Sequence, residues 1–129
     1  MNVAEWVASY RRAWEDRDAD AAVALFTEDA EYRSNPFQEP DRRSEGVRDY
    51  WTRVTATQGD VEVRMGTPFV DGNRVAVEFW TTMLNDGAEV TLTGCMLLTL
   101  APDGRCEKLR EYWHYEPGNR TPPHDGWGA

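Results

Sequence analysis

The chain has 129 residues, of which 40% are hydrophobic and 12% aromatic, and it contains six tryptophans. This composition excludes a disordered chain, and the length suits one packed core but not two. Lys and Arg number 14 against 23 Asp and Glu, a formal net charge of -9, and the basic residues are scattered along the chain. We therefore expect no nucleic-acid partner and no membrane partner.

Targeting signals and metal motifs are not apparent. The first residues lack the basic start and apolar run of a secretory signal, and no segment has the length needed to span a bilayer, which predicts a cytoplasmic protein. The cysteines Cys95 and Cys106 and the histidines His114 and His124 show no metal-ligand spacing. We expect reduced thiols, no metal and no cofactor.

Three helices are predicted in the first half of the chain. Apolar residues recur at three- and four-residue steps over residues 2–15 and give that helix a strongly aromatic face. A second, short helix follows and includes Phe26, and a third is expected at about residues 45–55. A short strand at residues 30–34 is predicted between the second and third helices.

The second half shows the two-residue periodicity of strands. From Val61 onward, turn signals at residues 71–73, 86–87 and 102–104 divide the chain into four antiparallel strands. The order of elements predicts an α+β fold, in which a cone-shaped curved antiparallel sheet wraps around the three N-terminal helices.

A change in amino-acid composition near residue 117 predicts where the domain ends. Residues 1–116 are predicted to form the domain. Residues 117–129 are rich in Pro and Gly and are expected to form a flexible tail, in which Trp127 is able to dock on the domain.

Turn lengths also predict which strand residues are neighbours. The two-residue Asp-Gly turn predicts that Phe79 lies opposite Gly94, and a four-residue loop at 101–104 predicts that Gly94 lies opposite Glu111. One layer of the inner sheet face is then expected to contain Met65, Phe79, Gly94 and Glu111.

The opposite sheet face carries large aromatic residues among polar ones. Trp80, Tyr112 and His114 are expected on this outer face. Aromatic residues on a semi-polar face are typical of subunit interfaces, and twofold dimers are the commonest closed assembly. We therefore expect a homodimer formed through these three residues.

Three segments carry a family resemblance: WEDRD at residues 14–18, ALFTEDA at 24–30 and LREYW at 109–113. With the order of elements, they resemble the SnoaL-like branch of the nuclear transport factor 2-like superfamily over about residues 3–115. The resemblance implies a cystatin-like α+β barrel with a pocket for a small apolar molecule. It also implies one of two roles: a cofactor-independent isomerase, cyclase, dehydratase or hydrolase, or a non-catalytic ligand-binding or dimerisation module.

The resemblance to ketosteroid isomerases is incomplete. Tyr10 falls where that family has its oxyanion-binding tyrosine, and Trp113 matches a pocket-lining tryptophan of some members. The general-base aspartate is replaced by Ser34 or Asn35, and the oxyanion aspartic acid by Met96, which argues against steroid isomerisation. A single acid without a matching arginine also argues against the Asp-Arg-Asp mechanism of limonene epoxide hydrolase.

Glu111 and Tyr10 are the catalytic candidates. A carboxyl in an apolar layer is expected to have a raised pKa and to serve as a general acid or base, although a buried structural carboxyl fits the same pattern. Tyr10 is expected to orient a ligand, although a core role is also compatible with its helix face. The expected ligand-binding residues are Trp14, Tyr32, Ser34, Asn35, Phe37, Trp51, Phe79, Met96 and Trp113.

Overall fold

The computed structural model describes residues 1–129 and contains three helices and seven strands. The helices are α1 (Val3–Glu15), α2 (Ala19–Val23) and α3 (Arg43–Thr55). The strands are β1 (Phe26–Arg33), β2 (Asp41–Arg42), β3 (Gln58–Met65), β4 (Phe69–Asp71), β5 (Arg74–Asn85), β6 (Ala88–Leu100) and β7 (Cys106–Pro117). The predicted α+β fold with three helices and a curved sheet is confirmed. None of the helices has the length and apolar character needed to cross a membrane.

The seven strands form one curved sheet that does not close into a barrel. The strand order is β2-β1-β7-β6-β5-β3, and β4 pairs with β5 beside β3. All neighbours are antiparallel except β1 and β7, which run parallel. The sheet is therefore mixed: the strands predicted from Val61 onward pair antiparallel, and the one parallel pair joins β7 to β1, whose neighbours were not predicted. The parallel pair requires a long connection, and the chain between the two strands supplies it with α3 and five strands.

The second helix is shorter than predicted. It ends at Val23, and Phe26 begins β1 instead of continuing the helix. The cause is tertiary, because the carbonyl oxygen of Leu25 accepts hydrogen bonds from Trp6 Nε1 at 2.9 Å and from the Cys106 backbone N–H at 2.8 Å. These bonds tie this turn to α1 and to the start of β7, an arrangement that local periodicity does not reveal.

The aromatic face of α1 forms the centre of the core. Trp6 is fully buried, and its ring stacks on Tyr10 with 5.1 Å between centroids. The edge of Phe26 meets Trp6 at 5.9 Å, and Trp51 of α3 meets Tyr10 at 5.4 Å in a perpendicular arrangement. These contacts join α1 to α3 and to the first strand, as aromatic pairs of this geometry do in packed interiors.

The strand register is confirmed for one hairpin and wrong for the next. Phe79 lies opposite Gly94 as predicted. Glu111, however, lies opposite Met96, and Trp113 takes the predicted place of Glu111 opposite Gly94. The loop between β6 and β7 is one residue longer than expected, and an irregularity between Thr99 and Leu100 adds a second residue of shift. Because the total shift is two residues, every side chain stays on its predicted face.

The segment predicted as a flexible tail lies against the outer sheet face. The backbone oxygen of Arg120 accepts a hydrogen bond from Trp80 Nε1 at 2.9 Å. Trp127 is buried with 8% of its surface exposed; its ring meets the edge of Trp80, and the guanidinium of Arg64 lies 5.2 Å from its centroid. The tail therefore covers part of the face that was expected to form a dimer interface.

Replacing Trp127 with alanine tests this contact. We expect Trp127→Ala to lower the free energy of unfolding by about 2 kcal/mol, because the ring loses its packing on Trp80 and Arg64. Urea denaturation measures the change. Phe37→Ala is the control, because Phe37 is 96% exposed and its truncation is expected to cost less than about 0.5 kcal/mol. Equal stability of the two variants would contradict the docked position of Trp127.

Candidate functional site

A cavity of about 500 Å³ opens between α1, α3 and the inner face of the sheet. Eight of the eleven residues predicted for the site line it: Tyr10, Trp14, Tyr32, Ser34, Asn35, Trp51, Glu111 and Trp113. Eleven residues that were not predicted for the site complete the lining: Gln38, Tyr50, Arg53, Val54, Thr55, Thr57, Gln58, Met83, Asn85, Leu92 and Tyr115.

Three residues predicted to bind the ligand do not line the cavity. Phe37 is 96% exposed, in a turn where its backbone N–H donates to Asn35 Oδ1. Phe79 and Met96 are fully buried in the core, with Phe79 packed against Trp14 at 5.6 Å between ring centroids. Inward-facing strand positions therefore divide between core and cavity, and the pattern of alternation does not separate the two.

Glu111 is the acidic residue of the cavity. It is 7% exposed and lies on β7 opposite Met96, in an apolar layer. The Tyr50 hydroxyl donates a hydrogen bond to Glu111 Oε1 at 3.5 Å. Burial raises the pKa of Glu111 from 4.5 to about 8, and hydrogen bonds from Tyr50 and Tyr32 lower it by less. At neutral pH the carboxyl is therefore mostly protonated, with one O–H donor beside the oxygen that accepts from Tyr50.

Tyrosine hydroxyls line the cavity next to this acid. The Tyr10 and Tyr32 hydroxyls form a hydrogen bond of 2.8 Å, and the Tyr32 ring packs against Tyr50 with 4.8 Å between centroids. Burial raises the pKa of Tyr10 and of Tyr32 well above 10, and the nearby Glu111 raises both further. Both groups therefore remain neutral hydroxyls that are able to donate hydrogen bonds.

Polar side chains also line the rim of the cavity. Thr57 Oγ1 lies 2.6 Å from Asn85 Oδ1, and Asn85 Nδ2 donates to the Tyr115 hydroxyl at 3.2 Å. Trp14 Nε1 donates to Gln58 Oε1 at 3.0 Å, and these two lining side chains are buried. The cavity thus contains a protonatable acid, Glu111, and a separate group of neutral hydrogen-bonding side chains, Thr57, Asn85 and Tyr115.

Some of the missed residues follow from patterns present in the sequence. Tyr50 belongs to the apolar stripe of α3 together with Val47 and Trp51, and this stripe faces the sheet. Tyr115 lies four residues after Glu111 on β7, so strand alternation places both on one face. No sequence signal distinguishes Arg53, an exposed arginine at the cavity, from other surface arginines. No cluster of three His, Cys, Asp or Glu side chains is arranged to hold a metal ion.

Sequence comparison identifies the family. The model of the SnoaL-like domain matches residues 7–109, most of the chain. The chain belongs to the SnoaL-like family. The predicted resemblance is thereby confirmed. The matched region ends before Glu111, so the family match itself gives no role to that residue. A search of curated proteins gave no match.

Solved structures similar to this SnoaL-like protein include enzymes. The epoxide hydrolase/cyclase-like enzyme SalBIII, of pyran ring formation in the polyether salinomycin, has 27% identity and a TM-score of 0.75, with 86% of this chain and 89% of that chain covered. A limonene epoxide hydrolase-like enzyme from Mycobacterium tuberculosis has 22% identity and a TM-score of 0.71, over 85% and 80%. A ketosteroid isomerase-like protein from Catenulispora acidiphila, in complex with trimethylamine, has 19% identity and a TM-score of 0.76, over 87% and 86%. The last two likenesses show the fold alone.

Proposed function

We propose that this SnoaL-like protein binds a small, largely apolar molecule in the cavity and acts as a cofactor-independent isomerase or cyclase, with Glu111 as the acid and base. The observation that carries the proposal is the position of Glu111. It is a carboxyl group buried in a cavity of about 500 Å³, among tyrosine hydroxyls and without an arginine or lysine bound to it. A group of this kind is able to donate a proton near neutral pH.

The chemistry follows from the two oxygen atoms of one carboxyl group. The protonated oxygen of Glu111 gives its proton to a substrate oxygen as a carbon–oxygen bond breaks, and that oxygen keeps the bonding electron pair. A hydroxyl of the same substrate attacks the released carbon, and its proton passes to the other oxygen of Glu111. The carboxyl ends protonated as it began, and the product is an isomer of the substrate. No further reactant is required.

The tyrosines support this role. Tyr50 donates to Glu111 and holds the carboxyl in place. Tyr10 bonds to Tyr32, and its role is to orient the Tyr32 hydroxyl toward the reacting oxygen. The likeness to SalBIII supports ring closure as the reaction type, because that enzyme is epoxide hydrolase/cyclase-like and takes part in pyran ring formation.

Turnover of hydroxy-epoxide probes tests the proposal. The hydroxyl is placed for closure of a six-membered ring, and product formation is followed by chromatography and mass spectrometry. We expect Glu111→Gln to lower the rate about 100-fold or more, because an amide cannot supply the proton. The wild-type rate is expected to fall as the pH rises through about 8, where the acid form is lost. Glu107→Gln, on the same strand and outside the cavity lining, is the control. A rate in Glu111→Gln equal to that of the control would exclude Glu111 as the acid.

A second candidate function is ligand binding or dimerisation without catalysis. It is favoured by the cavity lining, which contains one carboxyl and no histidine or aspartate. On the outer face, Tyr112 is 49% exposed and His114 is exposed, while the tail covers part of Trp80. A homodimer through this face would use Tyr112 and His114 more than Trp80. Native mass spectrometry with a thermal-shift screen of ketones, lactones and epoxides tests it; a dimer with ligand binding and no turnover would support this candidate.

A further inference from the structure

A second hydrogen-bonding point lies at the rim of the cavity, at Asn85 and Tyr115. We propose that this pair selects elongated, neutral ligands that carry an alcohol, ether or carbonyl oxygen at the end remote from Glu111. The inference rests on the proposed function, because it concerns the same cavity and names the class of molecule that enters it.

The spacing follows from strand geometry. Glu111, Trp113 and Tyr115 are alternate residues of β7, and all three line the cavity. Four residues of strand place Glu111 and Tyr115 about 13 Å apart along the chain. Leu92 lies opposite Tyr115, and Gly94 lies opposite Trp113. An apolar stretch thus separates two polar points, which suits a molecule with an oxygen at each end and hydrocarbon between them.

The Asn85–Tyr115 pair has a hydrogen-bond donor available for a ligand. Asn85 Nδ2 donates to the Tyr115 oxygen, and Asn85 Oδ1 lies 2.6 Å from Thr57 Oγ1. The bond from Asn85 uses Tyr115 as an acceptor, so the hydroxyl proton of Tyr115 is free to donate. The side chain of Tyr115 is held in place by the same bond. The complementary ligand group is an acceptor oxygen.

Charge favours a neutral ligand end. Asn85, Tyr115 and Thr57 carry no charge, and the whole chain has a net charge of -9, which disfavours the approach of anions. Arg53 is the cationic residue of the lining; its guanidinium lies 5.7 Å from the Tyr50 ring centroid, and it takes no part in the hydrogen bonds of Asn85 and Tyr115. A ligand with an anionic end would bind Arg53 in place of Tyr115. Neutral and anionic ligands therefore distinguish the two binding points by experiment.

Binding of three matched probes tests the inference. The probes are a ten-carbon methyl ketone, the same ketone with a terminal hydroxyl, and the same ketone with a terminal carboxylate. Quenching of tryptophan fluorescence reports binding, because Trp14, Trp51 and Trp113 line the cavity. We expect the terminal hydroxyl to raise the affinity about fivefold in the wild type, the usual gain from one partly exposed hydrogen bond. In Tyr115→Phe this ratio is expected to fall to about one.

Tyr112→Phe is the matched control, because Tyr112 lies on the same strand with a similar exposed fraction, 49% against 46%, but on the outer face. It is expected to keep the wild-type ratio. Equal affinities of the plain and hydroxylated ketones in the wild type would overturn the second binding point and leave the proposed function standing. Tightest binding of the carboxylate would overturn it in favour of Arg53. No binding of any probe would overturn both proposals.

Discussion

Between about pH 5 and pH 8, the wild-type protein is expected to lose about 4 kcal/mol of unfolding free energy relative to Glu111→Gln. The pKa of Glu111 is raised from 4.5 to about 8 by burial. In this range the unfolded chain releases the Glu111 proton and the folded chain keeps it, so the folded state becomes less stable by about 1.4 kcal/mol for each pH unit. The loss ends above about pH 8, where the folded state ionises too.

Urea denaturation at a series of pH values measures this difference. The amide of Glu111→Gln does not titrate, so its stability lacks this component of the pH dependence, and the difference between the two stability curves is expected to become constant below about pH 4.5. Glu107→Gln, on the same strand, controls for the replacement of a glutamate by glutamine in β7. Parallel curves for the wild type and Glu111→Gln across this range would contradict a buried, protonated Glu111.

The second large effect is expected at Gly94. A Cβ atom at this position would lie 2.1 Å from the backbone oxygen of Tyr112 and 2.8 Å from Trp113 Cα. Backbone atoms of a paired strand cannot move away without breaking the β6–β7 pairing. We expect Gly94→Ala to lower the free energy of unfolding by about 3 kcal/mol, at the upper end of the usual cost of overpacking. Chemical denaturation measures the change.

Gly59→Ala is the matched control for Gly94→Ala. Gly59 also lies in a strand, and a Cβ there would meet nothing closer than Leu84 Cβ at 4.0 Å. Its substitution is expected to be neutral or slightly stabilising, because alanine restricts the unfolded chain more than glycine does. A similar stability of both variants would show that β7 does not approach Gly94 as closely as the structure indicates.

The burial of Glu111 lowers the stability of the folded protein, and this loss bears on whether the residue is structural or catalytic. A buried carboxyl that stays protonated at neutral pH makes the folded state less stable than an apolar residue of the same size would. Such departures from good packing are concentrated at functional sites. The hydrogen bond from Tyr50 and the nearby Tyr32 partly satisfy the group, yet they do not restore its ordinary pKa. This balance suits a proton donor better than a structural link.

Much of the fold was predictable because local signals and tertiary structure agree. The aromatic stripe of α1 and the Asp-Gly turn between β5 and β6 are local patterns, and both led to correct predictions. The end of α2 and the pairing opposite Glu111 were not predictable in this way. The first depends on hydrogen bonds to Leu25 from distant residues, and the second depends on a strand irregularity near Thr99.

The sheet face that lines the site was predictable from the sequence, but the full set of lining residues was not. The predicted pairing of β6 with β7 was wrong by two residues, an even number, so Glu111 still faces inward. The interior position of the acid was therefore predicted correctly although its partner across the strands was not. Tyr50 and Asn85 were missed because their role depends on how α3 and the end of β5 approach β7 in space. Phe37 was predicted to bind the ligand, but it is 96% exposed and lies outside the cavity lining.

The proposed role of Glu111 is tested most directly by a pH titration of its side-chain carboxyl carbon by nuclear magnetic resonance, with Glu111→Gln used to assign the signal. A midpoint near pH 8, well above 4.5, would show that Glu111 is buried and protonated at neutral pH, as its proposed role as a proton donor requires. A midpoint near 4.5 would show an ionised carboxylate at neutral pH and would contradict the proposed acid.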